Sequence, residues 1–315
     1  MEKKLMNYAV KKVLRALSYG SLDVQADRRL AELKKLDPMR IFARKLDVHI
    51  MNGTHEVPVR IYFPTQKMLE EELIFQYSGK VLLFFHGGGW VTESVETYDR
   101  ICSRMAQSTN QLVLSVEYRK APEHRFPTAL MDGYAVAEVL FSGQYLKGVR
   151  PENITLMGDS AGGSLTAALT LLARDRNAFR PRQQILIYPA LWNDYTETSP
   201  FPSVRENGRD YLLTAVKMEE YMNLYQSRAE DRNSPYFAPL LSEHLEDLPR
   251  TLILTAQYDP LRDEGEEFGR RLKEAGNEVT VKRIEHALHG YFALGIKYLY
   301  VQESLEIINQ FLKEA

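Results

Sequence analysis

The sequence predicts an α/β protein with a mostly parallel, doubly wound sheet under a helical cap. Three observations carry this. Residues 45–63 read as two strands around Asn52-Gly53-Thr54, an antiparallel hairpin. Beyond residue 80, short apolar runs alternate with helical segments, which is how strands buried on both faces read when helices cross between them. Between Ala190 and Arg250 that rhythm lapses for longer than a structureless loop commonly lasts, so an insertion is expected there.

Taken in order, residues 1–40 read as helical. Leu5, Tyr8, Ala9, Val13, Leu14 and Leu17 share one face, with a break at Ser18-Tyr19-Gly20-Ser21 and an end at Asp37-Pro38. This apolar face needs a partner surface, which makes residues 1–40 a second contributor to the cap. Residues 64–79 are a charged connection. Val81–Phe85 and Leu112–Val116 are buried strands, separated by a helix around Tyr98–Gln107. A helix over 127–142 follows, then a strand at Ile154–Met157, an Ala/Leu-rich helix from Ser164 to Ala173 and a strand at Gln184–Tyr188 stopped by Pro189. In the insertion a helix is expected near Leu213–Tyr225. The rhythm resumes with a strand at Thr251–Thr255, a helix near Asp263–Ala275, a last strand over Glu278–Ile284 and a closing helix at Ile296–Leu312. The organisation predicted is a body formed by 41–189 and 251–315, with 1–40 and 190–250 as cap.

Bulk properties bound the function. A chain of 315 residues with 44% hydrophobic and 26% charged content has ample core for one large α/β domain with insertions. A net charge of −2 gives no global attraction to nucleic acid or to an anionic membrane. The single cysteine, Cys102, makes no internal disulfide and suits a reducing compartment. The first 17 residues scatter basic side chains through what would have to be an unbroken apolar segment in a secretory signal, and no run approaches a membrane span. A cytoplasmic protein without stable membrane association is expected. A homodimer is compatible with the sequence, which carries no signal for oligomeric state.

Chemistry concentrates at Gly158-Asp159-Ser160-Ala161-Gly162, a G-x-S-x-G turn between strand and helix. So tight a turn excludes side chains at its flanks and lifts the serine hydroxyl to a helix N-terminus. A nucleophilic serine needs a base, and an acid that holds the base's tautomer. His244, His286 and His289 follow Ser160 in the chain. His244 lies in polar sequence with nothing to orient it. His289, with Gly290 to turn the backbone, suits the loop after the last strand, and His286 competes with it. For the acid, Asp259 lies closest to the end of its strand. Asp263, with Glu266 three residues on, reads instead as a helix capping box. A tetrahedral oxyanion needs N–H donors already aimed at it. Ala161 follows the nucleophile, and Gly87-Gly88-Gly89 follow the Val81–Phe85 strand. Neither G-x-G-x-x-G nor G-x-x-x-x-G-K-[ST] is present, so nucleotide motifs are excluded.

These blocks together resemble the hormone-sensitive-lipase-like, or GDXG, family of α/β-hydrolases. The match lies in His86-Gly-Gly-Gly-Trp90, Gly158-Asp-Ser-Ala-Gly-Gly163, Tyr258-Asp-Pro-Leu-Arg-Asp-Glu-Gly265 and His289-Gly290. It extends to Tyr118-Arg119, Ala121-Pro122-Glu123, Phe126-Pro127, Ser234-Pro235 and Ala238-Pro239-Leu240. Lys120 departs from the family's usual apolar or small residue. The resemblance implies an α/β-hydrolase fold, a Ser160–Asp259–His289 triad, oxyanion donors at Gly88, Gly89 and Ala161, and a structural His86. It implies a serine carboxylesterase acting on short-chain, including acetyl, esters, with no cofactor and no metal. Amidase or lipase activity would use the same triad. A binding-only member of the fold, such as the plant gibberellin receptor, lacks the histidine that this chain retains. Cap aromatics Trp192, Tyr195, Tyr211, Tyr221 and Tyr225 are candidates both for lining the substrate pocket and for the cap's own packing.

Overall fold

The computed structural model describes Ser18 and residues 23–33, 44–65, 77–294 and 299–314. The helical face read over Leu5–Leu17, the Asp37-Pro38 terminus and most of the 64–79 connection lie outside the described residues. The elements are α1 (Val24–Leu33), β1 (Lys45–Asn52), β2 (His55–Tyr62), β3 (Val81–Phe85), α2 (Asp99–Thr109), β4 (Leu112–Val116), α3 (Thr128–Phe141) and β5 (Ile154–Asp159). They continue with α4 (Ala161–Asp175), β6 (Gln183–Ile187), α5 (Pro202–Asn207), α6 (Ala215–Tyr225), β7 (Arg250–Tyr258), α7 (Arg262–Glu274), β8 (Val279–Leu288) and α8 (Leu299–Lys313).

The eight strands form one sheet in the order β1-β2-β4-β3-β5-β6-β7-β8. β1 pairs antiparallel with β2, and β2 with β4; from β4 onward every pairing is parallel. The hairpin closes with Gly53-Thr54 between paired Asn52 and His55, and Gly53 takes the left-handed φ of +61° that such turns need. The continuous apolar runs are explained by two covered faces. Along β3, Val81, Leu83 and Phe85 pack with α3 and α4, while Leu82 and Phe84 pack on the other side with α2 and α8. α4 is buried at every position from Ala161 to Ala173, so its Ala/Leu composition fits a helix enclosed on all sides. Truncating Leu169 within it should cost about 2–5 kcal/mol.

Two boundaries and one cap differ from expectation. α4 starts at Ala161, immediately after the serine. β8 runs on past Ile284 to Leu288 because it contains a bulge: Ile284 faces Ala256, yet Leu288 faces Tyr258. The Asp263/Glu266 capping box does not form. Asp263 accepts the backbone N–H of Ser203 at 2.7 Å, and Glu266 pairs with Thr255 and Arg283.

The inserted segment contains α5, α6 and two short 3₁₀ turns, at Ala229–Asn233 and Pro239–Leu241. α6 is started by Thr214, whose side chain accepts the Lys217 N–H. The segment lies on the body along the turn after β3: the Tyr225 ring stacks on Trp90 at 4.6 Å, and the Tyr225 carbonyl accepts the Phe126 N–H. α1 joins the same region through Arg28, whose guanidinium donates to the Val91 and Ala121 carbonyls and pairs with Glu123. Among the described residues no helix is long and apolar enough to cross a membrane.

Candidate active site

The carboxyl ends of β3, β5, β7 and β8 converge because these strands run parallel, and each delivers one chemical group. At the end of β5, Ser160 adopts φ +53°, ψ −120°, a conformation unfavourable for a side-chain-bearing residue, and directly precedes α4. The turn is tight on both sides. A Cβ at Gly158 would stand 2.2 Å from the Gly162 carbonyl oxygen, and one at Gly162 would stand 2.0 Å from that of Phe85. Glycine at these two positions is a packing requirement.

Ser160 Oγ lies 2.9 Å from His289 Nε2, and His289 Nδ1 lies 2.7 Å from Asp259 Oδ2. Asp259 is wholly buried, and its other carboxylate oxygen accepts the Leu261 N–H at 2.9 Å. The carboxylate therefore claims the Nδ1 proton and leaves Nε2 to accept from the serine. The bulge in β8 accounts for the reach of His289, since re-aiming a side chain beside a site is a common use of such an irregularity. His286 sits in the bulge itself, with φ +63°, its N–H held by the Gln257 side chain and its ring exposed away from Ser160. His244 is a surface residue with a side chain 81% exposed. The structure thus brings Ser160, His289 and Asp259 together, and leaves His244, His286 and Asp263 outside.

Gly88, Gly89 and Ala161 line a cavity of about 200 Å³ together with Ser160 and His289. What holds this glycine turn in place was not visible in the motifs. Asp159, read from sequence only as holding the serine's own turn, points beneath the neighbouring strand. Its Oδ1 accepts the Gly87 N–H at 2.9 Å, and its Oδ2 accepts the hydroxyls of Tyr98 at 2.8 Å and Tyr188 at 3.2 Å. The Tyr188 hydroxyl in turn accepts the Phe292 N–H, in the loop that carries His289. One buried carboxylate thereby ties the glycine turn, the serine strand and the histidine loop together. Burial pushes the Asp159 carboxyl up to about 6, opposed by the Tyr98 hydrogen bond, the charge of His289, and the bonds from Tyr188 and Gly87. Tyr98 and Tyr188 carried no sequence signal beyond being tyrosines near strand ends. His86 is buried, stacks on Tyr118 at 4.4 Å, and is pushed down to about 4 chiefly by burial, so it is a neutral packing residue.

Fold and site together define an α/β hydrolase. Residues 82–293 match the family described as alpha/beta hydrolase fold, and the chain belongs to that family. It is 34% identical to an ethyl acetate hydrolase of Pseudomonas putida, over 82% of this chain and 79% of that one. It is 32% identical to an arylesterase of Saccharolobus solfataricus, over 82% and 80% of the two chains. Among solved structures it resembles a hyperthermophilic esterase from the archaeon Pyrobaculum calidifontis with a TM-score of 0.84 and 32% identity, covering 98% of each chain.

Proposed function

We propose that this chain is a serine carboxylesterase for short-chain esters, with Ser160 as nucleophile, His289 as general base and acid, and Asp259 as the orienting acid. The observation that carries the reading is the continuous Ser160–His289–Asp259 relay, at 2.9 and 2.7 Å, on the floor of a cavity walled by Gly88, Gly89 and Ala161. The Ser160 proton passes to His289 Nε2 as Oγ bonds to the ester carbonyl carbon. The backbone amides of Gly88, Gly89 and Ala161 receive the oxyanion, and the imidazolium is held by Asp259. The C–O bond then breaks and Nε2 returns the proton to the departing alcohol. Water repeats the sequence on the acyl-enzyme: His289 takes its proton, the hydroxyl adds to the acyl carbon, and Ser160 leaves reprotonated.

Residues 190–250, with α1, form the cap in this reading. Their contacts along the Gly87–Trp90 turn and with the 121–126 stretch support that role. Acetyl esters head the substrate class, because the relatives include an ethyl acetate hydrolase and the cavity is small. The lone cysteine supports a cytoplasmic setting. The reading is tested with p-nitrophenyl acetate and a fluorophosphonate probe. Wild-type protein should turn over the ester and be labelled at Ser160, and folded Ser160→Ala should do neither. Normal turnover in folded Ser160→Ala overturns it.

A further inference from the structure

Of the five aromatic residues of the inserted segment that sequence alone left between pocket and packing, four are accounted for by packing. Trp192 meets Phe201 edge-on and Tyr211 stacks on Tyr258. Tyr195 is buried with its hydroxyl on Glu264, and Tyr225 is buried on Trp90. Only Tyr221 lines the cavity over Ser160. Its placement follows from helix register. Tyr221 and Tyr225 are one turn apart on α6, so as Tyr225 covers Trp90, Tyr221 falls over the residue before it, Gly89. The fit is close: a Cβ on Gly89 would stand 2.5 Å from the Tyr221 ring, so ring and backbone are in direct contact. Met218, on the same face of α6, continues this wall.

Reaction chemistry tells which end of an ester meets this wall. The departing alcohol must lie beside His289 Nε2 to receive its proton, and on that side the cavity wall is Gly290 and Ala293, both small. The acyl group then extends away from His289, along the glycine turn and toward Tyr221. The cavity of about 200 Å³ is below the roughly 300–1,000 Å³ of pockets that hold drug-sized ligands.

We infer that Tyr221 is the specificity residue that stops the acyl chain: the substrates are esters of small carboxylic acids, with greater freedom in the alcohol. This rests on the esterase reading proposed above. The Tyr221 phenol, which also hydrogen-bonds the Thr92 side chain, is a fixed end wall beside the oxyanion donors.

The experiment compares kcat/KM for p-nitrophenyl acetate, butyrate and octanoate, and for ethyl, benzyl and naphthyl acetates, in wild type, Tyr221→Phe, Tyr221→Ala and Tyr221→Trp. Wild type should favour acetate and butyrate over octanoate by about 100-fold or more, the discrimination that filling or blocking a pocket supplies. Tyr221→Phe should keep that order. Tyr221→Ala should raise the octanoate-to-acetate ratio at least about tenfold, and Tyr221→Trp should depress butyrate relative to acetate. The ranking of the acetates by alcohol should stay the same throughout. An unchanged acyl profile in folded Tyr221→Ala, or a shift in alcohol preference instead, overturns the inference while leaving the esterase reading intact. Absence of ester turnover in wild type overturns the esterase reading itself.

Discussion

Ser160 is flanked by two buried aspartates at strand ends, and they are put to different uses. Asp259, after β7, meets the catalytic chain directly through His289 Nδ1. Asp159, at the end of β5, touches no reacting group in the proposed mechanism and binds what holds the reacting groups: the Gly87 amide and two tyrosine hydroxyls. One orients a base, and the other braces the turn where charge develops. The same residue type, equally buried, thus takes a chemical or an architectural role according to which loop faces it.

The comparison ranks the expected losses. Ser160→Ala and His289→Ala each remove a member of the proposed relay, and each should lower kcat roughly 10⁴-fold or more on p-nitrophenyl acetate. Asp259→Asn leaves the geometry but offers Nδ1 an amide that can hold the wrong tautomer, with an expected loss of about 10³–10⁴-fold. Equal activity of Asp259→Asn and wild type would break the distinction between the two acids.

Asp159→Asn should act through the oxyanion side. An amide accepts at one oxygen only, so the Gly87 amide and the two tyrosine hydroxyls cannot all be kept. The glycine turn loosens, and kcat should fall about 10–10³-fold, up to what loss of one oxyanion donor costs. Stability offers a second readout. Asp159 is pushed up to about 6 in the fold from an ordinary 3.8. A carboxyl whose folded value lies above its unfolded one contributes stability fully below pH 3.8, and that contribution is lost as pH rises to about 6. Asparagine does not titrate. Wild type should therefore lose up to ~3 kcal/mol of unfolding free energy relative to Asp159→Asn across that window. Urea unfolding at pH 4 and pH 7 measures this, and a gap moving the opposite way contradicts the placement of Asp159.

The two aspartates also mark how far the sequence could be read. The β–α rhythm predicted the parallel sheet because strands buried on both faces are written as apolar runs such as Val81–Phe85. Asp259 and His289 were legible because chain order and strand ends constrain them. Asp159 stood in plain view within Gly158–Gly162, yet its work was not legible, because its partners Gly87, Tyr98 and Tyr188 belong to three other segments brought together only by the crossovers. The extension of β8 was missed for a similar reason. A bulge is a mismatch between two strands, and neither strand alone records it.

That bulge supplies the smallest predicted effect. His286 and His289 are three residues apart, and sequence alone left them in competition. The structure separates them: His289 is re-aimed at Ser160, whereas His286 occupies the left-handed position of the bulge at φ +63° with an exposed ring. A side-chain-bearing residue pays roughly 1–2 kcal/mol in that conformation, which glycine does not. His286→Gly should therefore keep kcat/KM within about twofold, as for a surface substitution. Its thermal midpoint should hold or rise, because relief of strain opposes the added freedom of glycine in the unfolded chain. A loss near that of His289→Ala would mean that the ring of His286, and not only its backbone, serves the reaction.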